Sequence, residues 1–110
     1  MQKMSLKKLK ALLAGGERAL LFLKSDSCHL CHQLEPIIGS LEGIYINDIK
    51  FFMCSEEDEE VAAVFGEKIN GVPSFVLFKT DHHLVVPDPA EPDPDTWYTR
   101  EYMEKFLKEW

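Results

Sequence analysis

The sequence predicts an α/β fold: a central mixed sheet of about four strands with helices on both faces, in three layers. Three observations carry this. Short, nearly continuous apolar runs at 19–25, 49–55 and 74–80 have the length and make-up of strands buried on both faces. Stretches with apolar residues at helical spacing alternate with these runs, which implies βαβ units and a mostly parallel sheet. The run 82–86 follows the third strand after a short turn around Thr80–Asp81, so it can fold back as a hairpin and add an antiparallel edge. The 110 residues suit one domain over 1–110, long enough to bury a core without covalent staples.

Each element has its own signal. Leu6, Leu9, Leu12 and Leu13 recur at helical spacing, with Ser5 placed to cap and Gly15 to end a first helix over about 5–14. Leu30, Leu34, Ile37, Ile38 and Leu41 share one face of a second helix. Pro36 lies within it and should bend it, because proline removes a donor and crowds the preceding turn. Ser55 with Asp58 resembles a capping box, and the acidic residues after Ser55 complement a helix dipole. Val61, Val64 and Phe65 supply that third helix with an apolar face. Residues 87–95 are rich in proline and aspartate and read as an extended acidic loop. Thr99 is placed to cap a last helix with Tyr102, Met103, Phe106, Leu107 and Trp110 on one face.

Bulk properties exclude several roles. The formal net charge is −7, so phosphate backbones and anionic membrane surfaces are unfavourable partners. No segment approaches the ~20 apolar residues of a membrane span, and the N-terminal leucines are interrupted by lysines and glycines, unlike a secretion signal. Three cysteines form no extracellular disulfide framework, which points to a reducing, cytoplasmic setting. A monomer is expected.

The chemistry concentrates in "SDSCHLCH", residues 25–32. Cys28 and Cys31 are spaced C-x-x-C, and His32 follows at once. Three readings are open at this point. C-x-x-C-H is the attachment pattern of c-type haem, for which Met53 or His82 would have to serve as distal ligand. Cys28, Cys31 and Cys54 with His29, His32, His82 or His83 have the donor types of a metal or Fe–S site. A C-x-x-C between a buried strand and a helix is also the setting of a dithiol redox pair. The redox reading explains the context of the cysteines as well as their spacing. It requires no cofactor and no metal.

The pattern as a whole resembles the thioredoxin superfamily, over nearly the whole chain from Leu6 to Trp110. The resemblance rests on the strand–C-x-x-C–helix unit with Cys28 and Cys31, on Pro36 five residues after the second cysteine, and on Val72–Pro73 just before the strand "SFVLF". It implies a thioredoxin-like three-layer α/β/α sandwich and a thiol–disulfide oxidoreductase. It also implies a cis bond before Pro73, with Val72 and Pro73 binding an extended substrate beside the sulfurs. The motif departs from thioredoxins proper: Ser27 replaces an aromatic residue, His29-Leu30 replaces Gly-Pro, and Phe22 stands where they carry a buried aspartate.

Elementary chemistry supports the same roles. A cysteine at a helix N-terminus accepts bonds from unpartnered amides, and the dipole favours its thiolate. The thiol pKa can fall from about 8.5 to roughly 3.5–7.5 in such settings. Cys28 is therefore expected to be the nucleophile and Cys31 the resolving thiol, with His29 and Leu30 modulating the couple. A protonated His29 would favour the Cys28 thiolate further. Cys54 in a strand reads as a buried, inert thiol. His32 reads as an exposed helix residue, and Glu35, one turn after Cys31, as a solvated residue or a proton relay. The expected partners are a disulfide-bearing protein or small thiol, with a reductase or thiol pool to recycle the pair. The alternative is a thioredoxin-fold module that binds a partner, or a metal or Fe–S centre, without redox turnover.

Overall fold

The computed structural model describes residues 1–55, 58–63, 71–80 and 82–110. The described elements are β1 (Gln2–Lys3), α1 (Leu6–Gly15), β2 (Ala19–Lys24), α2 (His29–Ile44), β3 (Lys50–Ser55), α3 (Glu59–Ala63), β4 (Ser74–Lys79), β5 (His82–Val85) and α4 (Arg100–Glu109). The strands form one five-stranded sheet in the order β1-β3-β2-β4-β5. β3 runs parallel to β1 and β2, whereas β4 runs antiparallel to both β2 and β5.

Two features differ from the sequence-based expectation. The sheet has a fifth strand, because Gln2 and Lys3 pair with Phe52 and Met53 and the Met4 amide donates to the Met53 carbonyl (2.7 Å). Two exposed polar residues carry no alternation to read, and their strand exists only through this pairing. The sheet is also more antiparallel than expected. Alternating strands and helices do not fix each strand's direction. Here β4 enters the sheet at the end where β2 leaves it, with Ser74 opposite Leu23.

The continuous apolar runs reflect burial on two faces. Leu20, Phe22, Phe75 and Leu77 pack against Leu34, Ile38 and Leu41 of α2 and Met103 and Leu107 of α4. Leu21, Leu23, Phe52, Cys54, Val76 and Phe78 face the other way, toward Leu9 of α1 and Val61 of α3. Successive residues of a strand alternate between faces, so a strand covered on both sides must be apolar at every position. The buried rings interlock: Phe22 stacks on Phe75 at 4.8 Å, and Tyr98 meets Phe75 edge-on at 5.2 Å.

The helix ends follow local chemistry. The Ser5 hydroxyl accepts from the Lys8 amide (3.2 Å) and the Thr99 hydroxyl from the Tyr102 amide (3.1 Å), capping α1 and α4. α1 closes one residue later than expected, on Gly16, whose φ of 73° suits glycine and lets its amide reach the Leu12 carbonyl. Asp58 accepts from the Ser55 amide (3.3 Å), but α3 begins only at Glu59, so this bond closes the turn between β3 and α3 and is not a capping box within the helix. Val61 is buried as expected, while Val64, Phe65 and Asp81 lie outside the described residues.

Candidate redox site

Sheet register brings three distant segments to one end of the molecule. β2 leaves the sheet there at Lys24, and β4 begins there, with Leu23 opposite Ser74. β5 ends there as well, since the Val86 amide donates to the Phe75 carbonyl (2.8 Å). The C-x-x-C, the Val72–Pro73 pair and the 87–95 loop therefore surround the same sheet end. A parallel or mixed sheet leaves such an end open between the loops that follow its strands.

Cys28 is the N-cap of α2, in extended backbone conformation (φ −86°, ψ 107°). Its Sγ accepts from the Cys31 amide (3.1 Å), one of the donors that a helix start leaves without a backbone partner. Cys28 and Cys31 are joined as a disulfide with Cα atoms 5.2 Å apart, within the span that such a bond bridges. The two sulfurs differ in access. Cys28 is half-buried, whereas Cys31 is only 1 % exposed and packs against the α2–α4 core. The approachable sulfur is thus the one held at the helix terminus.

The surroundings are ordered by hydrogen bonds. The Cys28 amide donates to the Ser25 carbonyl (3.1 Å), and the Ser27 amide to the Ser25 hydroxyl (3.3 Å). His32 Nε2 lies 2.8 Å from the Asp26 carbonyl. His29 is exposed and lies 3.5 Å from the Gln33 amide group, and Leu30 is half-buried. Glu35 forms an ion pair with Lys24, the last residue of β2, so it is not simply solvated. The Val72–Pro73 peptide bond is cis. Pro73 is buried, Val72 is half-buried against both core clusters, and the Ser74 hydroxyl donates to the Gly71 carbonyl (2.8 Å).

The acidic loop is tied down rather than trailing. Asp88 Oδ1 accepts from Trp97 Nε1 (3.0 Å) and the Tyr98 hydroxyl (3.4 Å), and the Tyr102 hydroxyl donates to the Pro87 carbonyl (2.7 Å). Burial, then the nearby Asp88 charge, pushes the Tyr98 phenol well above its ordinary pKa, so it remains a donor. These anchors were invisible in the sequence, because each joins a loop residue to an aromatic 9 to 15 residues away with no periodic signal. The Lys24–Glu35 pair and the His32–Asp26 contact were missed for the same reason.

Other candidates fall elsewhere. Cys54 is 2 % exposed on the opposite face of the sheet from Cys31. Burial and then the Asp58 charge push its thiol up to about 12. His82 pairs with Lys79, at the far end of β4 from Pro73. Among the described residues, no three His, Cys, Asp or Glu side chains gather to hold a metal ion. No helix among them is long and apolar enough to cross a membrane.

No protein-family model and no curated protein sequence matches the chain. Solved structures do match in three dimensions. Mitochondrial thioredoxin 3 of Saccharomyces cerevisiae, in its oxidised form, superposes with a TM-score of 0.77 at 18 % identity, covering 100 % of this chain and 95 % of the other. Trxlp of Edwardsiella tarda gives 0.73 at 15 % identity, covering 96 % of both chains. Thioredoxin of Trypanosoma brucei brucei gives 0.71 at 12 % identity, covering 99 % of this chain and 91 % of the other. The chain has the thioredoxin fold, with a C-x-x-C disulfide at the start of its second helix.

Proposed function

We propose that the protein is a thiol–disulfide oxidoreductase that works through the Cys28/Cys31 couple. The observation that carries this reading is the placement of Cys28: half-exposed, bonded to Cys31, with its sulfur accepting a helix N-terminal amide. In the reduced protein that amide and the dipole stabilise the Cys28 thiolate. The thiolate attacks one sulfur of a substrate disulfide. A Cys28–substrate disulfide forms and the other substrate sulfur leaves as a thiolate, which takes up a proton. Cys31 then loses its proton and attacks Cys28 Sγ. The internal disulfide forms, the second substrate thiol leaves, and two electrons have passed to the substrate. The reverse sequence oxidises a dithiol.

The backbone at Val72, beside Pro73, lies at the same sheet end and suits an extended substrate segment laid across the sulfurs. Protein disulfides and small thiols both fit this chemistry, and a reductase or a thiol pool restores the starting state. The cysteine usage suits the cytoplasm, and the exchange needs only one copy of the chain.

A redox titration tests the reading. The protein is equilibrated in defined thiol buffers, alkylated, and counted by mass. The expected result is a two-thiol couple between Cys28 and Cys31 with Cys54 silent. Its potential separates a reductant, near about −270 mV, from an oxidant near about −120 mV. Failure to form the Cys28–Cys31 disulfide at any poise overturns the proposal.

A further inference from the structure

His32 makes two hydrogen bonds that bracket the proposed nucleophile. Its amide donates to the Cys28 carbonyl (3.2 Å), and its ring Nε2 lies 2.8 Å from the Asp26 carbonyl. The first bond belongs to the helix ladder, and any residue other than proline supplies it. The second crosses back over Ser27 and needs a side chain with a donor at this reach. We propose that His32 is a positioning residue for Cys28: its ring clamps the turn before α2, so that Cys28 Sγ stays in the N-cap position. This rests on the redox reading of the pair.

The clamp matters most when the disulfide is open. In the oxidised protein the Cys31 sulfur itself holds Cys28 Sγ. In the reduced protein that covalent tie is gone, and the N-cap geometry depends on the turn. Within the turn, the Cys28 amide bonds to the Ser25 carbonyl, and the Ser25 and Ser27 hydroxyls contact each other at 3.0 Å. The Ser27 amide, in the same peptide unit as the Asp26 carbonyl, also donates to the Ser25 hydroxyl (3.3 Å), but all these contacts run through Ser25 and none engages the carbonyl itself. The imidazole does, and it fixes the backbone between residues 26 and 28. A thiolate that keeps its amide partner is stabilised, and one that swings off the cap loses that partner to water. A neutral ring with its proton on Nε2 and an imidazolium both donate to the carbonyl.

The test compares side chains of different reach in the reduced full-length chain. Gln places an Nε2 donor the same number of bonds from Cα as His does. Asn carries the same amide one methylene shorter, and Leu carries no donor. The rate of Cys28 alkylation by iodoacetamide is followed against pH by mass. Cys31 and Cys54 are buried, so the first label reports Cys28. His32→Asn and His32→Leu are expected to move the midpoint of the profile upward and slow labelling at pH 7 about three- to tenfold, with the high-pH plateau unchanged. His32→Gln is expected to recover most of the loss. Asp26, His29, Glu35 and Lys24, the ionisable groups on and beside this turn, are the same in every variant. An unchanged midpoint in His32→Asn overturns the proposal, and so does a His32→Gln profile that falls as far as His32→Asn. The readout needs no substrate and no disulfide, so its failure is separate from failure of the redox couple.

Discussion

Cys28 and Cys54 carry the same functional group in two regions that treat it in opposite ways. Cys28 sits where a helix begins, half-exposed, with a backbone amide aimed at its sulfur. Cys54 sits within β3, 2 % exposed, packed among Leu9, Leu23 and Val61 with Asp58 nearby. The first site offers the negative charge a partner. The second removes water and places a carboxylate beside it, which holds the thiol protonated up to about 12. The reactivity expected of each cysteine therefore follows from its backbone position, not from its presence alone.

The largest effects should come from breaking the first site. Cys28→Ser is expected to lower disulfide exchange by several orders of magnitude, because the remaining Cys31 thiol is only 1 % exposed and cannot reach a substrate disulfide. Cys31→Ser should leave the attack intact and abolish resolution. The variant then accumulates a covalent Cys28–substrate adduct, visible by mass and released by added thiol. If both variants lose labelling equally and neither traps an adduct, the division of roles between the two sulfurs is wrong.

The second site predicts a smaller effect, in stability and not in exchange. The folded Cys54 pKa of about 12 stands above the ordinary value of 9.0. Above pH 9 the unfolded chain sheds this proton while the folded chain keeps it. The burial of the neutral thiol thus contributes fully below pH 9, and its contribution falls as pH rises toward 12, by up to about 1.4 kcal/mol per pH unit. Urea unfolding at pH 8 and pH 10.5 should show a shallower alkaline loss for Cys54→Ala than for the native chain. Parallel slopes would mean that the Cys54 thiol titrates alike in both states. Exchange activity should be unchanged.

Much of this contrast was legible in the sequence. The apolar runs at 19–25, 49–55 and 74–80 mark strands because residues such as Leu20 and Leu21 must satisfy opposite faces at once. Ser5 and Thr99 mark helix starts because a hydroxyl there meets an unpartnered amide. Cys28 is found by the same rule, with sulfur in place of oxygen. Long-range pairing is what the sequence leaves out. Gln2 and Lys3 become a strand only because β3 has an open edge, and β4 is antiparallel to β2 only because the chain returns to the sheet end where β2 leaves. The contacts of His32 with the Asp26 carbonyl and of Asp88 with Trp97 and Tyr98 depend on turns whose course no spacing rule describes.

The smallest effect belongs to the Lys24–Glu35 pair, which lies between the two regimes. Lys24 ends β2 and Glu35 lies one turn beyond Cys31, so the pair ties the strand to the helix beneath the site. Their side chains are 21 % and 36 % exposed, which leaves the pair largely within reach of water. An ion pair in such a setting contributes about 0.2–1 kcal/mol. Glu35→Gln should therefore cost no more than about 1 kcal/mol in urea unfolding and less at high salt. Its second effect is the sharper one. Helical side chains lean toward the N-terminus, so Glu35 leans over the turn that carries Cys31. If the pair is only a strut, release of the Cys28–substrate adduct should proceed at the native rate, within about twofold, across the pH range. A slower release at neutral pH that recovers at high pH, where Cys31 loses its proton unaided, would instead assign the Glu35 carboxylate to that proton transfer.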